Sequence, residues 1–256
     1  LDDDKGGSDP NILVRFDGPN KRIDLVRLPR DTLLHNDYRN NKLNFAYAKG
    51  GTELLMEQIE NLLGVPVDFY VTVNLKGFIA LVDQIDGVDF DIPINMDYDD
   101  PYQDLHIHFT KGPRHLNGQE AMEVVRFRHN NDGTGYGTED IGRIGTQQAF
   151  LKAVAKQLLQ IGNVKNIPAL VDIFYTYVKT DLTTGNLVWL GNEALNIGTE
   201  NIHFATLPGD GAGWYKGMSV YALDPEQVLE MTNSMLNPYV ADIPADETNI
   251  LVPSSP

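Results

Sequence analysis

Residues 11–32, "NILVRFDGPNKRIDLVRLPRDT", decide how the chain begins to fold. Two runs rich in β-formers, "NILVRF" and "RIDLVRL", flank "DGPNK", whose Gly, Pro and Asn each favour a reversal, so the segment reads as a β-hairpin. It closes on "LPRDT", which sets Arg30 beside Asp31 just after a strand. Working outward, Leu54, Leu55, Ile59, Leu62 and Leu63 in "TELLMEQIENLLG" fall at helical spacing, with Gly64 as the stop. "VDFYVTVNL" reads as a strand, "KGFIALVDQI" as a short amphipathic helix, and "GVDFDIPI" and "LHIHFT" as further strands. The first half therefore alternates β and α.

The second half is more helical. "NGQEAMEVVRFR" opens on a cap at Asn117 and reads as a short helix ending near Val125, before a Gly/Asn-rich loop from about His129 to Thr138. The longest helical signal is "EDIGRIGTQQAFLKAVAKQLLQIG", with Ile141, Ile144, Leu151, Val154 and Leu158 on one side. Asp140, Arg143 and Gln147 line up on a neighbouring face along its first two turns. Helices near 166–178, 184–196 and 225–236 and a strand at "IHFATLP" complete a mixed α/β/α pattern. "LPGDGAGWYKG" reads as a surface loop carrying Trp214 and Tyr215. The Pro-, Asp- and Ser-rich stretch 238–256 reads as a flexible C-terminal tail after a single domain over 1–237.

Composition narrows the function. At 256 residues and 42% apolar, without repeats, the chain is long enough for one large core. A net charge of -16 repels nucleic acid and anionic membrane surfaces, so neither is a general partner and any anion site must be local. No apolar run is long enough to span a bilayer, and no signal-peptide pattern opens the chain. The absence of cysteine excludes a disulfide framework and thiolate metal sites or nucleophiles. His106 and His108, in "HIH", lie in an alternating run and read as ordinary strand residues rather than a metal pair.

Against that acidic background, "VVRFRHNNDGTGYGTEDIGR" gathers Arg126, Arg128 and Arg143 in one window. A guanidinium fork is planar, permanently charged and able to donate two parallel hydrogen bonds to phosphate, and three of them would suit a diphosphate. The competing reading pairs them with surplus carboxylates, Asp140 with Arg143 first among them. At the other end, "LDDDKGGSDP" places Asp2, Asp3, Asp4 and Asp9 around a Gly-Gly turn. Oxygen-only donors of this kind suit Mg²⁺, and Mg²⁺ with arginines is the usual equipment of phosphoryl transfer. An acidic terminal tail, or the remnant of a cleavage tag, has the same composition. Spacing alone leaves both pairs of readings open.

Four blocks, in order, resolve them by likeness. "SDPNILVRFDGPNKRIDLVRLPRDT", "LNFAYAKGG", "LNGQEAMEVVRFRH" and "EDIGRIGTQQAFLKAVAKQLL" resemble the motif blocks of the LytR-CpsA-Psr family over roughly residues 2–160. The resemblance implies a three-layer α/β/α domain with a central mixed β-sheet and a deep apolar cavity for a polyprenyl chain. It implies transfer of a glycopolymer, such as wall teichoic acid or capsule, from a polyprenyl-pyrophosphate carrier onto peptidoglycan, with Mg²⁺ at the pyrophosphate. By the same resemblance Asp2 and Asp9 are the metal aspartates, and Arg30, Arg126, Arg128, Arg143 and Gln147 hold the pyrophosphate. Asp31 stands beside Arg30 either as the general base or as its structural support. Arg30, Asp31, Arg126 and Arg143 form the expected catalytic set.

The family also implies an extracellular location and a single N-terminal membrane helix. This chain shows neither that helix nor the apolar first strand before Asp2, so both are expected to be missing from it. It departs from the pattern at Gly7, where an arginine is usual, at Pro10, where a threonine is usual, and at Thr146, where a basic residue is common. Those departures keep two rivals in view: a hydrolase of the same lipid pyrophosphate, and a non-catalytic binder of lipid-linked wall precursors. Gly50 and Gly51 in "AKGG" serve either to bring backbone close to a ligand at a helix start or simply as a tight turn.

Overall fold

The structure, a computed structural model, describes residues 10–102, 104–137, 139–161, 172 and 174–253, with the backbone path alone at 139–141 and 159–161. The chain divides into two compact units, one built from Leu1–Val71, Thr180–Ile197 and Asn201–Pro256, the other from Thr72–Lys179 and Gly198–Glu200. It passes from the first to the second within strand β3 (Val71–Val73) and returns within β8 (Val178–Thr180).

The first unit starts on the hairpin read from the sequence. Strand β1 (Asn11–Asp17) pairs antiparallel with β2 (Arg22–Leu28), from Asn11 opposite Leu28 to Asp17 opposite Arg22. The reversal is tied by Asp17, whose carboxylate accepts from Asn20 N and Nδ2 at 3.1 and 3.0 Å. Strand β9 (Ile202–Thr206) joins the far side of β2 in parallel, giving a three-stranded mixed sheet. Val26, Leu28, Leu43, Leu62, Leu63 and Leu207 are the heart of the core against this sheet. Full burial of each such side chain contributes about 1.5–3 kcal/mol.

Helix α1 (Leu43–Leu63) is two helical pieces joined at a break: Gly50 (φ -140°, ψ 16°) and Gly51 (φ 67°, ψ -154°) leave helical geometry. Gly64 then ends it in the left-handed conformation, φ 69°, its N–H donating to Glu60 O. The supposed loop at 207–217 is mostly strand: β10 (Gly209–Tyr215) pairs with β11 (Met218–Leu223) in a hairpin with a bulge between Asp210 and Gly213. Its glycines read as loop residues, yet Gly209 and Gly213 are where a side chain would strike the partner strand. Residues after Pro238 are not a loose tail over the described range. Ile243 is buried, Asn233 bonds both the N–H and the carbonyl of Ile243, and Asn249 N donates to Leu62 O.

Among the described residues, the second unit packs two antiparallel pairs against helices. Strand β4 (Val88–Ile92) pairs with β7 (Gly112–Leu116), and β5 (Met96–Asp100) with β6 (Leu105–Phe109). Both β4 and β6 alternate strictly, so Val88, Phe90, Ile92 and Leu105, Ile107, Phe109 turn inward while their neighbours face out. Helices α2 (Leu75–Gln84), α3 (Gly118–Arg126) and α4 (Glu139–Ile161) belong to this unit. Phe150 of α4 is the aromatic hub, its ring centroid 5.8 Å from Phe78 and 5.5 Å from Phe90. Ala153 and Val154 pack against the same cluster, so this part of α4 faces a filled core.

The mixed α/β class is as expected, and among the described residues the strands form one three-stranded sheet and four two-stranded pairs. Of "VDFYVTVNL" only Val71–Val73 is strand. The chain closes on helix α5 (Thr184–Ile197) and α6 (Pro225–Met231), the latter capped by Asp224 and running into a π turn at Thr232–Leu236. No helix among the described residues is long and apolar enough to cross a membrane.

Candidate functional site

The sequence candidates fall into two groups, one on each unit. Arg30 and Asp31 belong to the first, Arg126, Arg128, Arg143 and Gln147 to the second. Asp2 and Asp9 lie outside the described residues.

In the first group the "PRDT" backbone is clamped on both sides. Tyr221 N donates to Asp31 O and Leu33 N to Tyr221 O, at 2.8 and 2.9 Å, fastening it to β11. Asn44 N donates to Arg30 O and Leu43 N to Thr32 O, fastening it to the start of α1. Thr32, wholly buried, turns its hydroxyl onto Pro29 O at 2.7 Å. The side chains of Arg30 and Asp31 remain about two-fifths exposed on this rigid base. Asp31 Oδ1 stands 3.2 Å from Lys42 Nζ and 3.9 Å from Arg30 Nε, so one carboxylate joins two cations. Lys42 escaped the sequence reading because it belongs to no arginine cluster; its place at the start of a helix that follows "PRDT" was the available signal.

The second group is built where α3 ends and α4 begins. A capping box starts α3, with Asn117 Oδ1 accepting from Glu120 N and Glu120 Oε2 accepting from Asn117 N. Gly118 N donates to Asp83 Oδ1 at 2.6 Å, and a Cβ on Gly118 would meet Ile79 O at 2.2 Å, so that end is pinned on α2. Arg126 sits at the other end, in the last helical turn, half-buried beside Met122 Sδ. Phe127 turns extended (φ -57°, ψ 133°) and buries its ring against Tyr136, leaving Arg128 exposed beyond it. The helix therefore runs one residue further than expected.

Gln147 of α4 locks the two helices together: its Nε2 donates to Val125 O at 3.1 Å, next to Arg126. Its Oε1 is buried with no hydrogen-bond partner among the described residues. Arg143 is one turn earlier on the same helix and close enough to Tyr136 for its charge to be felt there. Burial pushes the Tyr136 hydroxyl above its ordinary pKa, with Thr146 and the Arg143 charge opposing. Tyr136 lies over Gly142, where an added Cβ would come within 2.3 Å of it. Thr146, at the place where a basic residue was noted as common, is buried and donates its hydroxyl to Gly142 O at 3.0 Å, so it brings no charge. Arg126, Arg143 and Gln147 are thus gathered at one helix junction, and Arg128 stands outside it. The side chain of Asp140, the alternative partner of Arg143, lies outside the described residues.

Residues 2–237 match the model of the LytR_cpsA_psr family. The chain belongs to that family. Among its LytR_cpsA_psr relatives, a Bacillus subtilis protein named polyisoprenyl-teichoic acid–peptidoglycan teichoic acid transferase TagV is 31% identical over 253 residues, 95% of this chain and 62% of its own. The TagU transferase of the same description from Bacillus cereus is 32% identical over 234 residues, 91% of this chain and 73% of its own. The crystal structure of B. subtilis TagV superposes with a TM-score of 0.75 at 27% identity, covering 90% of this chain and 88% of that one. The chain thus spans about three-fifths to three-quarters of the length of these two relatives.

Proposed function

We propose that this chain is the catalytic domain of a phosphotransferase that moves a glycopolymer of the teichoic acid kind from a polyprenyl-pyrophosphate carrier to peptidoglycan. The observation that carries this reading is likeness over more than nine-tenths of the chain to two proteins named as such transferases. The charge groups support it. Arg126 and Arg143, half-buried on a helix junction held by Gln147, offer fixed donors to a phosphate; Arg30 offers another from a backbone clamped on both sides.

A hydroxyl of the acceptor glycan, by family likeness the C6 hydroxyl of N-acetylmuramic acid, attacks the phosphorus that bears the donor glycan. The new P–O bond forms as the bond to the bridging oxygen breaks, polyprenyl phosphate leaves with the electron pair, and the acceptor hydroxyl's proton passes to solvent water. The arginines neutralise charge that grows on the bridging and terminal oxygens. Asp31, already shared by Lys42 and Arg30, positions Arg30 rather than taking the acceptor's proton. Asp2 and Asp9, the metal aspartates by family likeness, are oxygen donors that suit Mg²⁺, which when bound would supply further positive charge at the pyrophosphate. Peptidoglycan lies outside the cytoplasmic membrane, and the domain works there.

The test is turnover of a synthetic polyprenyl-pyrophosphate saccharide with peptidoglycan oligomers, followed by mass spectrometry, with Mg²⁺, with EDTA and with Asp9→Asn. A conjugate that needs Mg²⁺ and is lost in the variant supports the proposal. Turnover indifferent to EDTA would remove the metal from it. Tight lipid binding without any product would favour the precursor-binding reading, for which the uncharged Gly7 and Thr146 speak.

A further inference from the structure

The β5–β6 hairpin carries a side-chain cluster that uses none of the residues assigned to the transfer. The alternation that buries Leu105, Ile107 and Phe109 sends His106 and His108 to the outer face, and the antiparallel register sets Asp99 opposite His106 and Asp97 opposite His108. Asp99 Oδ1 meets two imidazoles at once, His106 through Nδ1 and His108 through Nε2, the latter at 3.3 Å. The remaining nitrogen of each ring faces a different carboxylate. His108 Nδ1 is 2.7 Å from Asp97 Oδ1, and His106 Nε2 is 3.6 Å from Asp104 Oδ1. Among the described residues this is the one trio of such side chains whose ligand atoms all lie within 4.8 Å of one another.

We infer that Asp99, His106 and His108 bind a transition-metal dication of the zinc class, with Asp97 and Asp104 orienting the two imidazoles from behind. Ligand atoms around tetrahedral zinc stand about 3.3 Å apart, because Zn–N and Zn–O bonds are about 2.0–2.2 Å. The His108–Asp99 separation already has that value. The His106–Asp99 contact must open by under about one Å on the same reckoning, which half-exposed side chains allow. Two imidazole donors select zinc, copper or nickel over Mg²⁺ and Ca²⁺, which prefer oxygen alone. A carboxylate on the second nitrogen of each ring is the outer arrangement that fixes a metal-ligating histidine in one tautomer and orientation. Three carboxylates around two neutral imidazoles also leave an excess of negative charge that a dication offsets. The fourth position is open to water, so the site is a clip on the hairpin that can also accept an outside ligand.

The probe is Zn²⁺ itself, titrated into tag-free, EDTA-stripped and dialysed protein against a chromogenic chelator, with thermal melts in parallel. The wild-type chain should take up one saturable equivalent and melt higher with zinc. The His106→Gln/His108→Gln double variant should melt like wild type without zinc and lose both effects. Asp97→Asn should weaken binding by roughly 10- to 100-fold while keeping the stoichiometry. Failure of the wild type to bind overturns the inference. So does a double variant that binds one equivalent with unchanged affinity, since the zinc would then sit on other surface carboxylates.

Discussion

Arg126 shows why placement matters more than charge. It stands in the last turn of α3, beside a glutamine that ties α4 to the residue before it, so its guanidinium is presented on a fixed corner. Arg126→Ala should lower kcat/KM for the lipid donor by roughly 10- to 150-fold, the worth of hydrogen bonds to a charged group at about 1.5–3 kcal/mol. Arg126→Lys should fall between, because an ammonium keeps the charge and loses the fork. Arg128, exposed beyond the buried Phe127, should cost less when replaced, and steady-state kinetics on the three variants ranks them. A second residue-scale outcome concerns His115, whose Nδ1 lies 2.7 Å from Asp89 Oδ1. That hydrogen bond holds the imidazole above its usual 6.5. Its contribution to stability is therefore complete below about pH 6.5 and disappears as pH rises through the higher folded-state value. An NMR titration should give a midpoint above 6.5 that Asp89→Asn lowers; an unchanged midpoint in that variant would rule out Asp89 as the cause.

At the scale of elements, the break in α1 is the sharpest constraint. Gly51 combines φ 67° with ψ -154°, a region that essentially only glycine occupies, and a Cβ on Gly50 would lie 2.6 Å from that of Leu54. Gly51→Ala should destabilise the chain by about 1–3 kcal/mol in urea unfolding, although nothing stands within 4 Å of the new methyl group. Helix α3 and the second piece of α1 were legible because each carries its own period and a cap or stop: Asn117 with Glu120 announces α3, and Gly64 closes α1, whereas the first piece of α1, from Leu43 to the glycine break, was not read as helix. Strands β5, β7, β10 and β11 were not. "MDYDD" is mostly carboxylate, "GPRHL" begins with two breakers, and "GDGAGWY" is nearly half glycine, so their pairing comes from partner strands rather than local preference. The arginine cluster was visible as composition, but spacing could not separate a phosphate grip from ion pairs. The helix junction that gathers Arg126, Arg143 and Gln147, and the Lys42 that joins Asp31, depend on packing between separate elements, which local period and spacing do not reveal.

On the scale of the whole molecule, the C-terminal stretch illustrates how composition misleads. Its Pro, Asp and Ser content matches a mobile tail, yet one isoleucine and two asparagines fasten it to the first unit. Ile243→Ala should cost about 2–5 kcal/mol, and truncation after Asn237 more, read as a fall in the urea midpoint. The net charge of -16 repels any anion at long range, so an anionic ligand would have to be held by local cationic groups. The measurement that tests the transferase reading most directly is turnover of the lipid-linked saccharide in ¹⁸O-labelled water, with and without peptidoglycan oligomers. The transferase account predicts polyprenyl phosphate released only with acceptor present, matched one for one by conjugate without ¹⁸O. Equal release without acceptor, with ¹⁸O in the glycan phosphate, would contradict it and make the protein a hydrolase.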